Sequence, residues 1–219
     1  MIEAPAFYPY LSGADNLRVL ARAGGIPAAR VKEVLETVEL NDRARDKVAT
    51  YSQGMKQRLA IAAALLPDPE LIMLDEPTNG LDPAGTVEIR NLIRSLAAGG
   101  RTILLCSHLL YEVEQLCNRV AILKEGKLIA AGEVATLLRR GQGVRLRVQG
   151  NPELAVHLLR TLPWVSGVTV QEEVIIIDAP VERAAEINAL LIRADIVVAE
   201  IGANHSSLEE FFLTVTRTE

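Results

Sequence analysis

Residues 71–82 read Leu71-Ile72-Met73-Leu74-Asp75-Glu76-Pro77-Thr78-Asn79-Gly80-Leu81-Asp82. Four apolar residues in a row form a short strand, best read as buried, and two carboxylates follow it. In an α/β layer, ligands collect at the carboxyl ends of the strands. Asp75 there suits a water-mediated hold on a divalent cation, and Glu76 can polarise an attacking water. A strand followed by an acidic turn is the competing reading, and this segment alone leaves both open.

Some twenty positions upstream stands Tyr51-Ser52-Gln53-Gly54-Met55-Lys56-Gln57-Arg58. Ser52 can cap the helix that follows. Gly54 lets a phosphate approach the backbone, where the helix N-terminus offers free N–H groups and the positive end of its dipole. By itself this is a capped helix beside a glycine. Together with the carboxylate strand, one helix away, it becomes a specific signal. Asn79-Gly80-Leu81-Asp82-Pro83 can be only a turn, and His108 only a polar residue ending a strand. Yet His108 lies one helix and one strand beyond Asp75. Two adjacent parallel strands would set Glu76 and His108 side by side, where a histidine can hold a phosphate and the attacking water. His157 and His205 have no such setting.

Outward from this core, residues 1–25 are rich in Pro, Gly and Tyr and read as a loop entering a short helix. Val31, Val34, Leu35 and Val38 mark an amphipathic helix over 28–40. A polar stretch covers 41–50, and a helix over 55–66 stops at Pro67. Ile89, Leu92, Ile93 and Leu96 mark another helix, closed by Gly99-Gly100. Residues 102–106 read as a second buried strand, and 110–117 as a helix. Glu125-Gly126 turns a hairpin between 120–123 and 127–131, before a short helix over 133–140. Strands alternating with helices imply an α/β layer with a partly parallel sheet. Gly141-Gln142-Gly143 is a linker. Beyond it the pattern is strand (Val144, Leu146, Val148), helix (152–162), two strands (165–170, 174–178), helix (181–194) and strand (196–201). That βαββαβ order predicts a small α+β domain. Ser207-Leu208-Glu209-Glu210 is a capping box for a last helix.

A 49% hydrophobic and 23% charged composition over 219 residues is ordinary for a globular chain with one large or two small domains. The net charge of −5, with no basic run, argues against nucleic acid as the main ligand. Cys106 and Cys117 form no framework, suit a reducing cytoplasm and read as buried small hydrophobes. No segment approaches the ~18 apolar residues that cross a bilayer, and no secretion signal is visible.

These residues resemble the ATP-binding subunit of an ABC transporter. Tyr51 to Arg58 is similar to the family's signature motif and Leu71 to Glu76 to its Walker B strand. Asn79 to Asp82 is similar to the D-loop and Ser107-His108 to the His switch. The likeness runs in order over residues 1 to about 135. Glu3-Ala4-Pro5-Ala6-Phe7-Tyr8 resembles the Q-loop of export ATPases similar to bacitracin, lantibiotic and ABC-2-type exporters, with Glu3 in place of the usual Gln. Residues 144–216 resemble the C-terminal extension of such ATPases.

The resemblance implies a partial P-loop NTPase core over residues 1–140, with a helical signature subdomain at about 10–66 and a Walker B to His-switch core at 67–140. A C-terminal accessory domain over 144–219 follows. It implies ATP and Mg²⁺ as cofactors. Glu76 and His108 would be catalytic and Asp75 the metal residue. Ser52, Gln53, Gly54, Met55, Asp82 and Glu3 would bind nucleotide. The implied partners are a membrane permease, reached near Ala4 to Asn16, and a second ATPase subunit in a homodimer or heterodimer. The implied place is peripheral, on the inner face of the cell membrane.

No Gly-x-x-x-x-Gly-Lys-Ser/Thr phosphate loop occurs in the 219 residues. The simplest expectation is a fragment of a longer protein, with Met1 an internal methionine. Such a fragment should hydrolyse little ATP by itself, and its sheet should have open edges. A non-catalytic partner that lends only its signature motif is the alternative. A soluble ABC protein acting on ribosomes or nucleic acid fits less well, since there is one cassette and no heptad repeat.

Overall fold

A computed structural model describes residues 6–139, 143–204 and 207–217. Glu3 and His205 lie outside the described residues, as do two residues of the expected linker. The chain divides into two compact units, one ending at Leu116 and the other starting at Cys117.

The first unit opens with α1 (Gly13–Ala23), whose N-cap Ser12 accepts the Asp15 N–H at 3.0 Å. The buried Asn16 side chain fastens the entering chain to this helix. Its Oδ1 accepts the Tyr8 N–H at 2.8 Å, and its Nδ2 donates to the Tyr8 and Ser12 carbonyls. Leu17 and Ala21 turn inward from α1, and Val31, Val34 and Leu35 from α2 (Ala29–Thr37). The stretch read as merely polar, residues 41–50, contains two 3₁₀ turns and contributes Ala44 and Val48 to the same core. Tyr51 closes it, nearly buried, with its hydroxyl donating to the Arg43 carbonyl at 2.7 Å. Burial raises the Tyr51 phenol above its ordinary value, the Asp46 charge adding to the effect.

Helix α3 (Gln53–Leu65) ends two residues before Pro67. Arg30 reaches across from α2 to the last carbonyls of α3, with Nη2 on Leu65 O at 3.1 Å, and to Asp68. Asp68 also accepts from Arg101 at 2.8 Å, so one carboxylate ties α2 to the entry of the second strand. Strands β1 (Leu71–Asp75) and β2 (Thr102–Cys106) pair in parallel, Leu71 opposite Thr102 through Asp75 opposite Cys106. Between them runs α4 (Pro83–Ala98), capped by Asp82 and burying Ile89, Ile93 and Leu96. The short α5 (Leu110–Leu116) ends the unit.

The strands are not fully buried. Ile72 and Leu74 face the core, but Leu71, Met73 and Leu104 are 51%, 68% and 47% exposed on the other face. Helices cover one face of this pair, and among the described residues no third strand joins either edge. Cys106 shares the outward face and is exposed, and Cys117 is half-buried. Neither is the buried small hydrophobe expected from sequence.

In the second unit, β3 (Arg119–Lys124) and β4 (Lys127–Glu133) form the expected hairpin. Its turn residues Glu125 and Gly126 both have positive φ, 51° and 77°, as such a tight turn requires. Helix α6 (Val134–Arg139) follows. Then come β5 (Gly143–Gln149), α7 (Pro152–Arg160), β6 (Gly167–Gln171), β7 (Val174–Asp178), α8 (Ala184–Arg193) and β8 (Val197–Asn204). The sheet order is β6-β7-β5-β8, antiparallel throughout. The βαββαβ pattern is thus a split-βαβ sheet with α7 and α8 on one face. Val144, Leu146, Ile175, Ile177, Leu159, Ile187 and Leu191 form its core. Helix α9 (Leu208–Arg217) begins where the Ser207 Oγ accepts the Glu210 N–H at 3.2 Å.

Candidate functional site

Two elements of the first unit meet at an open cleft of about 320 Å³. One wall is the start of α3, with Ser52, Gln53, Gly54, Met55 and Arg58. The other is the turn into α4, with Gly80, Leu81, Asp82, Gly85 and Glu88. Ser52 caps α3 through the Met55 N–H at 3.2 Å. That leaves the first-turn N–H groups of Gln53 and Gly54 for a ligand, as at any helix start. A Cβ on Gly54 would meet nothing nearer than the Ser52 Oγ at 4.0 Å, so the space over this glycine is open. Free N–H groups, an open glycine and a helix N-terminus fit a phosphate group. Asp82 is engaged differently: its Oδ1 accepts the Gly85 N–H at 2.8 Å and starts α4.

The cleft has a buttress that the sequence did not disclose. Arg58, only 17% exposed, pairs with Glu88 on α4 and with Glu39 beyond α2. The first pair clamps α3 to α4, and the second ties α3 to the segment after α2. The Arg58 Nε is buried without a partner among the described residues.

The second cluster sits where β1 and β2 end. The parallel register puts Asp75 level with Cys106, so the next residues, Glu76 and Ser107-His108, emerge together. Glu76 bends out at φ 46°, a left-handed conformation held by its N–H on the Cys106 carbonyl at 2.9 Å and its carbonyl on the Asn79 N–H. Among the described residues five other non-glycine residues share that backbone, so it is the contacts that single Glu76 out. Its Oε1 accepts the His108 N–H at 3.0 Å and lies 2.8 Å from His108 Nδ1. An ionised carboxylate only accepts, so Nδ1 carries the proton and Nε2 faces away. Among the described residues the other oxygen, Oε2, has only a 3.4 Å contact from the Ser107 hydroxyl. It is left able to take the proton of a water.

Asp75, Glu76 and His108 are thus brought to one strand end, as expected. Ser52, Gln53, Gly54, Met55 and Asp82 are brought to one cleft, whose lining includes neither Glu76 nor His108. No group of three or more acidic, His or Cys side chains that could hold a metal occurs among the described residues. Magnesium keeps several waters and phosphate oxygens in its shell, so a lone Asp75 carboxylate, exposed and beside Glu76, is compatible with it.

An open helix start, an acidic strand end and a histidine two residues beyond the neighbouring parallel strand sit on the fold of the ABC class of ATPases. The chain belongs to the ABC transporter ATP-binding family. The model of that family, described as ABC transporter, matches residues 3–79. The bacitracin transport ATP-binding protein BcrA of Enterococcus faecalis is 36% identical over 97% of this chain and 70% of its own length. A linearmycin resistance ATP-binding protein of Bacillus subtilis is 36% identical over 96% of this chain and 71% of its own. A daunorubicin resistance ATP-binding protein of Streptomyces coeruleorubidus is 37% identical, over 94% of this chain and 68% of its own. Among solved structures, an ATP-binding subunit of an ABC transporter is 33% identical with a TM-score of 0.53. It covers 64% of this chain, and the chain spans 59% of that subunit. Nucleotide binding and the ATPase fold come with the family.

Proposed function

We propose that this chain is the ATP-binding subunit of an exporter, driving a separate membrane permease from the inner face of the membrane. The likeness to named resistance and bacitracin-transport proteins supports the exporter reading. So does an exposed, tilted pair, Tyr8 and Tyr10, ring centroids 5.9 Å apart, on the segment that Asn16 fastens to α1. Aromatic rings held in this way suit a protein contact. No helix among the described residues is long and apolar enough to cross a membrane.

The observation that carries the catalytic reading is the Glu76–His108 contact at 2.8 Å. Glu76 takes a proton from the attacking water through Oε2. His108, oriented by Oε1, presents Nε2 to the terminal phosphate. Asp75 would hold Mg²⁺, which when bound would supply charge neutralisation on the phosphates. Ser52, Gln53, Gly54 and Met55, with Asp82, face the nucleotide held by a second ATPase subunit, and the Glu3 carboxylate would serve at Mg²⁺.

The test uses the transporter assembled in membrane vesicles, with a phosphate loop completing the site that Glu76 faces. Glu76→Gln should lower ATP hydrolysis by roughly 10²–10⁴-fold while the chain stays bound to the permease. Hydrolysis unchanged by Glu76→Gln would remove the catalytic assignment. The chain would then be a partner that lends only its signature residues.

A further inference from the structure

Helix α5 is seven residues long, and only Glu112 and Val113 are buried on it. Tyr111 is 65% exposed, and Leu109 just before the helix is 40% exposed. Leu116 at its far end packs partly buried against the core, an anchorage too small to fix so short a helix by itself. Polar contacts with α4 complete the hold. Arg90 grips Glu112 with both prongs, Nη2 to Oε1 at 2.8 Å and Nε to Oε2 at 3.2 Å. The two side chains are 14% and 9% exposed. The Arg90 guanidinium also lies 5.9 Å from the Tyr111 ring centroid. One turn further along α4, Arg94 donates to the Gln115 carbonyl at 3.1 Å.

The loop that carries His108 is built onto the first turn of this helix. The Leu109 carbonyl accepts the Glu112 N–H at 2.9 Å and the Val113 N–H at 3.2 Å. The Leu109 N–H in turn donates to the Ser107 Oγ at 3.1 Å. Where α5 goes, residues 107–109 follow. We propose that Arg90 and Glu112 are positioning residues for His108: their ion pair fixes α5 on α4 and so sets the Glu76–His108 contact. Asp82 caps helix α4, so the pair also links the turn before α4 to the histidine. A buried ion pair is a poor source of net stability, because desolvation offsets most of its attraction, but its forked geometry admits one register. The meaning of this for hydrolysis rests on the function proposed above. The geometry can be tested without it.

The chain has three histidines, so their imidazole Cε1–H signals can be resolved by NMR, with His108 assigned through His108→Asn. At one fixed pH, Glu76→Gln should displace the His108 signal in the otherwise unchanged chain. In a Glu112→Gln background that displacement should shrink by roughly threefold or more, as expected for groups in one network. The swap of Arg90→Glu with Glu112→Arg should restore it. A folded Glu112→Gln chain showing the full displacement overturns the proposal. Should that chain fail to fold, Arg90→Lys keeps the charge and loses the fork, and a full displacement there overturns it equally. No displacement without any second change would remove the contact being positioned and sink the proposal at its base. The exporter reading is judged separately, by hydrolysis in vesicles.

Discussion

Ser52 has two duties, and they can be separated. As N-cap of α3 it satisfies the Met55 N–H, and as a cleft residue it faces the space over Gly54. Ser52→Ala should cost about 1 kcal/mol. A fall of a few degrees in melting temperature by circular dichroism would show it. Ser52→Asp keeps a cap and should spare stability, while placing a negative charge where a phosphate is expected. Asp68 makes a different prediction, in pH. The hydrogen bond from Arg101, and then the charge of Arg30, lower its carboxyl below the ordinary 3.8. A depressed carboxyl stabilises the fold above its unfolded value, and the gain disappears as pH falls through the folded value. Urea melts of the wild type and Asp68→Asn should therefore differ by a constant amount down to about pH 4 and converge below it. Asp15, lowered mainly by the Ser12 hydroxyl and then Arg18, has the same sign, so the variant keeps part of its acid sensitivity. The site residues with a local signature, such as a cap, a glycine or a carboxylate after a strand, were readable from sequence. Arg58–Glu88 and Arg90–Glu112 were not. Many arginines and glutamates dot these helices, and only the approach of α4 to its neighbours selects the pairs.

At the scale of the element, the strand pair shows where a one-dimensional reading stops. Leu71 to Leu74 is uniformly apolar, and such a run looks the same whether one face of the strand is covered or both. In the fold, helices cover Ile72 and Leu74, and the line Leu71, Met73, Leu104 and Cys106 is left outward. The contrast between the two cysteines reports on this directly. Cys106 is exposed, and burial pushes the half-buried Cys117 thiol up, away from its reactive thiolate. Iodoacetamide at neutral pH, followed by peptide mass analysis, should label Cys106 at least about tenfold faster than Cys117. Equal slow labelling would mean that the outward face of β2 is covered in solution. The C-terminal elements were more legible, because alternation in Val144, Leu146 and Val148 and two helical runs leave few ways to close a sheet. Even so, its strand order, with β5 inserted between β7 and β8, is a matter of packing that no local pattern states.

At the scale of the molecule, the chain brings an acidic strand end, a histidine and a signature cleft, and its 219 residues contain no Gly-x-x-x-x-Gly-Lys-Ser/Thr loop. Electrostatic stabilisation of the transferred phosphate is the larger part of such catalysis, and backbone N–H groups of a phosphate loop supply much of it. The 219-residue polypeptide by itself should accordingly hydrolyse ATP near background. An added ABC ATPase subunit that carries the loop changes the expectation unequally for the two halves of this chain. Its nucleotide would meet the open Gly54 and the α3 N-terminus from this side. Glu76 and His108 would face a position with no loop to hold a phosphate. Hydrolysis by the mixture should then exceed that of the added subunit, and Ser52→Asp here should abolish the excess by placing like charge against the phosphate. Glu76→Gln in this chain should leave the excess within about twofold, because a general base acts only on a water aligned with a bound phosphate. The reverse pattern, excess lost with Glu76→Gln and kept with Ser52→Asp, would show that the strand-end cluster of this chain works on a phosphate gripped from elsewhere. The division of labour between cleft and strand end would then have to be redrawn.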